Sequence, residues 1–267
     1  MFGRKVTGGL FAAGLAMLAT ANVASAEERQ FGYSLTITGA SDYLFRGISY
    51  TNNSPTANVY QEVTYGIAYL GLWTSTINYK NSDTGYESGL GPWEQDIYLG
   101  IRPTTGPVSW DLAAFYYLYG NHAPTKNSVF DTSYLEFKIG ATTTLRQGLT
   151  VGATVWLTPD QGYAATDNIS VEGTVAYDLP KYGVFAPQFT ALVGWSNSGT
   201  NSTYTDGYWL GQQEYAYWNA GVKVNVDKYF MDFRYSGTSI DENNAGGLYK
   251  GLADDRFVFS AGVNLLP

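Results

Sequence analysis

Cysteine is absent from this 267-residue chain and histidine occurs once. Without cysteine there is no disulfide framework and no thiolate metal site, so the fold is held by other means. A single histidine, His122, cannot supply a histidine metal cluster. Basic residues are also scarce, 15 against 23 acidic ones for a net charge of −8, and a nucleic-acid footprint is therefore missing. Beyond the first two dozen residues, no apolar run approaches the roughly 20 residues that a spanning helix needs. If the rest of the chain enters a membrane, it does so as strands.

The exception is the start, MFGRKVTGGLFAAGLAMLATANVASAEE. Arg4 and Lys5 form a basic region, Leu10 to Thr20 an apolar core, and Ala24-Ser25-Ala26 a small-residue cleavage site before Glu27 and Glu28. Residues 1–26 read as a secretory signal peptide. Its removal takes two of the basic residues and leaves 27–267 as one domain, with a net charge of −10.

What is plentiful is aromatic residues, glycine and a period of two. In EQDIYLGIR, Ile97, Leu99 and Ile101 alternate with Glu94, Asp96, Tyr98 and Arg102. SWDLAAFYY and SYLEFKIGA repeat the pattern, and no segment carries a 3.6-residue stripe. This periodicity predicts an all-β fold of about twelve strands. They fall near 32–50, 55–65, 67–80, 93–103, 107–120, 131–145, 148–160, 167–178, 182–196, 212–226, 229–240 and 255–266. Alternate connections are short (Gly66, PTTGP, RQG, LPKYG, DK), and the others are longer and polar, except a short TNNS after the first strand. That asymmetry predicts a transmembrane antiparallel up-and-down β-barrel, with periplasmic turns and extracellular loops.

The charges decide which face is which. Glu94, Asp96, Asp111, Glu136, Lys138, Glu172, Lys223, Asp232 and Arg234 all occupy the polar phase, as do Asp42, Arg46, Glu62 and Arg102. Each charge turned toward lipid costs about 2–4 kcal/mol at the midplane. These thirteen are therefore assigned to the lumen, as pore-lining residues. Two compatible readings follow: cross-strand ion pairs that stiffen the wall, and an electrostatic lining with a mild cation preference. Trp93, Trp110, Trp195 and Tyr229 near strand ends are expected in outward aromatic girdles. The same register turns Tyr43 and Phe45 outward, and it makes Glu62 a candidate partner for a base and Arg256 for an acid.

Sites of other chemistry do not emerge. No G-x-S-x-G surrounds a serine, His122 stands alone in a connection, and the acids of 241–244 and 254–255 lack calcium-loop spacing. Neither a catalytic group nor a metal or other cofactor is expected.

TGASDYLFRGIS resembles the opening strand of the TorF family of outer-membrane porins, with the pattern falling on Ser41, Asp42, Tyr43, Arg46, Gly47, Ile48 and Ser49. GLWTSTINY, EQDIYLGIR, DLAAFYYLYGN and DFRYSGTSI are similar to further segments of that family, while the carboxyl end, Leu265-Leu266-Pro267, lacks the usual terminal aromatic. The resemblance implies a porin-like channel for small hydrophilic solutes in a bacterial outer membrane, surrounded by lipid and lipopolysaccharide. It supplies no particular solute and no catalytic residue. A closed barrel with a structural or surface-binding role is the alternative. Intact-mass measurement of the exported protein is expected to place the amino terminus at Glu27; retention of residues 1–26 would contradict the signal-peptide assignment.

Overall fold

Period-two segments rich in valine, isoleucine, tyrosine and threonine favour a pleated surface with unlike faces. The computed structural model describes residues 31–78, 80–81, 86–87, 90–120, 133–146, 148–162, 164–199, 212–241 and 251–266. The segment 1–26, His122 and residues 242–244 lie outside the described residues. Twelve long strands follow one another: β1 (Phe31–Ala40), β2 (Thr56–Tyr65), β3 (Ala68–Thr76), β4 (Trp93–Ile101), β5 (Val108–Tyr119) and β6 (Tyr134–Arg146). The second half comprises β7 (Leu149–Thr158), β8 (Asn168–Asp178), β9 (Ala186–Ser198), β10 (Glu214–Val226), β11 (Tyr229–Thr238) and β12 (Arg256–Leu266). Every strand pairs antiparallel with its sequence neighbours. The ring closes where β1 meets β12, from Leu35 opposite Leu266 to Ala40 opposite Ser260. The fold is a closed twelve-stranded barrel.

Closure follows from the solvent. An open sheet edge in hydrocarbon would strand a row of backbone donors and acceptors, each costing several kcal/mol. The outward phase is correspondingly apolar: Ile97, Leu99 and Ile101 on β4, Phe137 and Ile139 on β6, and Phe233 and Phe259 on β11 and β12 are all exposed on the outer surface. Trp93, Trp110, Trp195 and Tyr229 are exposed there as well.

One boundary differs from expectation. The first strand stops at Ala40 instead of running to residue 50, because the pairing of β1 with both neighbours ends there. Residues 41–55 form a long first loop, so TNNS is only the end of that connection. Within the loop, Leu44–Phe45 and Ile48–Ser49 pair as a miniature hairpin. Its turn residues, Arg46 and Gly47, have φ of 47° and 86°. Two consecutive positive φ values are what a type I′ turn requires. Period two was present in SDYLFRGIS, but it belonged to a separate ribbon.

Ile97 lies midway along an outward phase, so Ile97→Arg is expected to cost about 2–4 kcal/mol of stability. Denaturant unfolding of the vesicle-inserted barrel measures this; an unchanged midpoint would contradict the assignment of faces.

Candidate functional site: a plugged lumen

Twelve strands about 4.8 Å apart and tilted about 40° enclose a backbone cylinder of roughly 12 Å radius. Side chains alone do not fill the outer half of such a lumen. The first loop does. At its tip, Arg46 Nη2 donates to Glu136 Oε1 of β6 at 2.6 Å. Phe45 meets Tyr117 of β5 edge-on, with ring centroids 6.1 Å apart. Ile48 packs in one buried cluster with Leu192 of β9, Tyr215 and Tyr217 of β10, and Leu252. A hairpin that touches β5, β6, β9 and β10 at once spans the lumen.

Tyr43 and Phe45 are thus buried inside the barrel and do not belong to an outward girdle. They enter a cluster with Tyr50, Tyr60, Tyr69, Trp73, Tyr98, Tyr117, Tyr119 and Tyr134. Glycines on the inner wall make room for such rings. A Cβ on Gly71 would lie 2.2 Å from the Tyr98 ring, so only glycine lets that ring lie across β3. Gly47 is similarly constrained, since a Cβ there would lie 2.4 Å from Thr238 Cγ2.

Each loop charge has its own setting. Asp42 and Arg46, expected on the inward face of a strand, are carried by the loop and remain buried within the barrel. Asp42 accepts hydrogen bonds from Ser49 Oγ (2.7 Å), Thr51 Oγ1 (2.6 Å) and Arg256 Nη1 (2.9 Å). Arg256 also donates to Asn53 Oδ1 and to the carbonyls of Gly251 and Asp254, pinning the base of the loop to the last connection. Arg256 is the partner expected for an acid. Glu62, however, pairs with Arg102 and not with Arg46, because the turn carries Arg46 across to the far wall.

The socket for Arg46 is complete on the wall side. Glu136 also accepts from Thr158 Oγ1 at 2.8 Å and Tyr117 Oη at 3.0 Å. Beside it, Glu172 accepts from Trp156 Nε1 at 3.0 Å and Tyr217 Oη at 2.8 Å. Glu94 accepts from Tyr43 Oη at 3.2 Å. Glu94 and Asp96 form no ion pair among the described residues, though both are buried. Sequence reasoning missed Thr158, Trp156, Tyr117 and Tyr217 as parts of this layer. Their only signal was an inward phase unusually rich in aromatics.

Below the plug, the remaining assigned residues form a belt of charges. Arg102 makes a two-pronged contact with Glu62 (2.6 and 2.8 Å), and its guanidinium lies 3.8 Å above the Tyr69 ring. Asp111 accepts from Lys138 Nζ at 2.7 Å and Tyr69 Oη at 2.5 Å. Across the lumen, Arg234 donates to Asp232 (3.0 Å), Thr190 (2.7 Å) and Asn219 (2.5 Å), while Lys223 sits opposite Asp232 in the ladder. Toward the turns, Ser34, Ser109, Thr142, Thr150 and Asn225 are partly exposed on the inner wall, while Ala176, Phe230 and Asn264 are buried. Around the hairpin, Arg46, Glu94, Tyr117, Glu136, Glu172 and Tyr217 are all buried, as are Glu62, Lys138, Lys223 and Asp232 of the belt. Part-exposed polar groups near the turns thus lie beneath a buried belt of charges and a buried plug layer.

Magnitudes decide whether the plug merely visits this position. Burying Tyr43, Phe45, Ile48 and Tyr50 contributes about 1.5–3 kcal/mol each, about 6–12 kcal/mol together. Ordering the loop's backbone costs about 1–2 kcal/mol per residue and offsets part of that gain, so burial and the polar ties together hold the hairpin. The hairpin is a resident part of the barrel.

Fold and lumen together define a plugged outer-membrane-type β-barrel. Residues 24–262 match the family described as "Bacterial protein of unknown function (Gcw_chp)", and the chain belongs to that family. No curated protein matches it. Among solved structures it is similar to LpxR from Salmonella typhimurium, at 10% identity and a TM-score of 0.51, covering 88% of this chain and 100% of that one. It is also similar to the NanC porin, at 9% identity and a TM-score of 0.53, covering 86% and 98%. At these identities the likeness is one of fold.

Arg102→Leu leaves Glu62 buried without its base and is expected to destabilise the barrel by about 3–5 kcal/mol. Adding Glu62→Leu should restore most of that loss in denaturant unfolding. An additive double variant would show that the two residues are not coupled.

Proposed function

We propose that this protein is a porin-like channel of the bacterial outer membrane for small hydrophilic solutes, held closed at rest by its first loop. The observation that carries this reading is the set of partly exposed polar side chains on the inner wall near the turns. A barrel that served only as a scaffold has no need of such serine, threonine and asparagine side chains beneath its plug. The resemblance of Ser41–Ser49 to the TorF porins supports the same reading. Asp42, Glu94, Asp96, Glu136 and Glu172 outnumber Arg46 and Arg256 in the plug layer, which favours a weak preference for cations once the lumen opens. Lipid and lipopolysaccharide are the proposed surroundings of the outward aromatics. The passage of solute needs no catalytic group, metal or other cofactor.

The buried plug layer favours a second reading, a permanently closed barrel with a structural or surface-binding role. Planar-bilayer recording separates the two. The channel reading expects rare stepwise openings of the wild type under applied voltage. Replacing residues 42–51 with a glycine–serine linker should give frequent openings, with a reversal potential displaced toward the cation. A wild type silent at every voltage beside a conducting loop variant would establish the closed barrel. A correctly folded loop variant that never conducts would remove the channel altogether.

A further inference from the structure

The plug is held to the wall differently from the way the wall is held to itself. Its two short strands pair only with each other and form a sheet apart from the barrel ladder. Among the described residues, two backbone bonds tie it to its surroundings: Ser49 N donates to Leu252 O, and Asn78 N donates to Tyr50 O, each at 2.9 Å. The hairpin can therefore leave as a unit while the barrel ladder stays intact.

At the tip, between the apolar Phe45 and Ile48, stands a charge. Arg46 and Glu136 are 3% and 0% exposed, so both are desolvated when the plug is seated. A buried ion pair is often a weaker tie than apolar side chains of similar volume, because desolvation offsets much of the attraction. Loss of one partner is costly, since it leaves an uncompensated charge. When the hairpin departs, however, both charges regain water. Glu136 keeps Thr158 and Tyr117 as donors, so neither of its carboxylate oxygens is orphaned by opening.

We propose that the Arg46–Glu136 pair is the release element of the plug, a tie that closes the lumen yet can be undone, where an apolar contact would lock it. This proposal rests on the channel reading. It makes Arg46 and Glu136 positioning residues for the plug and sets them apart from the charges of the lower belt.

The chain has no cysteine, so a single one can report plug position in the full-length, membrane-inserted protein. Ser49 is buried in the seated hairpin, and Ser49→Cys is expected to react slowly with a maleimide added from outside. Adding Glu136→Gln should raise the labelling rate about 10²-fold or more. Replacing the pair by Arg46→Met and Glu136→Leu should instead slow labelling below that of Ser49→Cys alone. The proposal is overturned if the double replacement labels as fast as Glu136→Gln, or if Glu136→Gln leaves the rate unchanged. Heat-modified gel mobility verifies insertion of each variant, and Arg46→Gln gives the same test from the plug side should Glu136→Gln not insert. Labelling needs no current. The expected labelling in a barrel that never conducts would keep the latch and remove the channel; unchanged labelling in a conducting barrel would do the reverse.

Discussion

Hydrocarbon offers a backbone amide no partner, and most of this molecule follows from that constraint. Twelve strands satisfy one another only as a ring, so β12 must return to β1. The ring divides every strand into an outer phase that meets lipid and an inner phase that does not. Its diameter is then set by strand number and tilt, and it leaves a space too wide for ordinary side chains to fill. The inward charges, the glycines under aromatic rings and the first loop are three responses to that space.

Those responses differ along the axis. Near the turns, charges pair across the wall and several small polar groups stay partly exposed. Farther out, the lumen is filled by aromatic rings packed on one another, such as Tyr117 against Tyr134 at 4.5 Å and Tyr98 against Phe115 at 4.8 Å. The hairpin completes this layer and could not do so with an ordinary strand end. Its turn brings Arg46 to the far wall, and the cost of two positive φ values is offset by a glycine and by an arginine tied to Glu136. Apolar burial holds the plug, and the ion pairs orient it. Arg256 fixes the base through Asp42, and Glu136 receives the tip.

Much of this architecture was legible in the residues. Strand number, the single ring and the sorting of faces followed from period two and from the cost of a charge in lipid. The partnership of Arg256 with Asp42 was legible too, because both flank the closure of the ring. The end of β1 was not. SDYLFRGIS alternates as a strand does, and Arg-Gly is not among the dipeptides that usually announce a two-residue turn. Once Ala40 is misread, Tyr43 and Phe45 turn to the wrong solvent and Arg46 is given a neighbour on the near wall. The contact between Arg46 and Glu136 joins residues 90 positions apart across a lumen, and no local pattern encodes it.

The central claim is that the first loop is a resident plug inside the barrel. Hydrogen–deuterium exchange of the folded protein, followed by mass spectrometry, tests it most directly. A peptide covering Ser41 to Tyr50 should exchange nearly as slowly as the barrel strands beside it, and far more slowly than the exposed turn 181–184. Exchange of that peptide at the rate of a solvated loop would contradict the account.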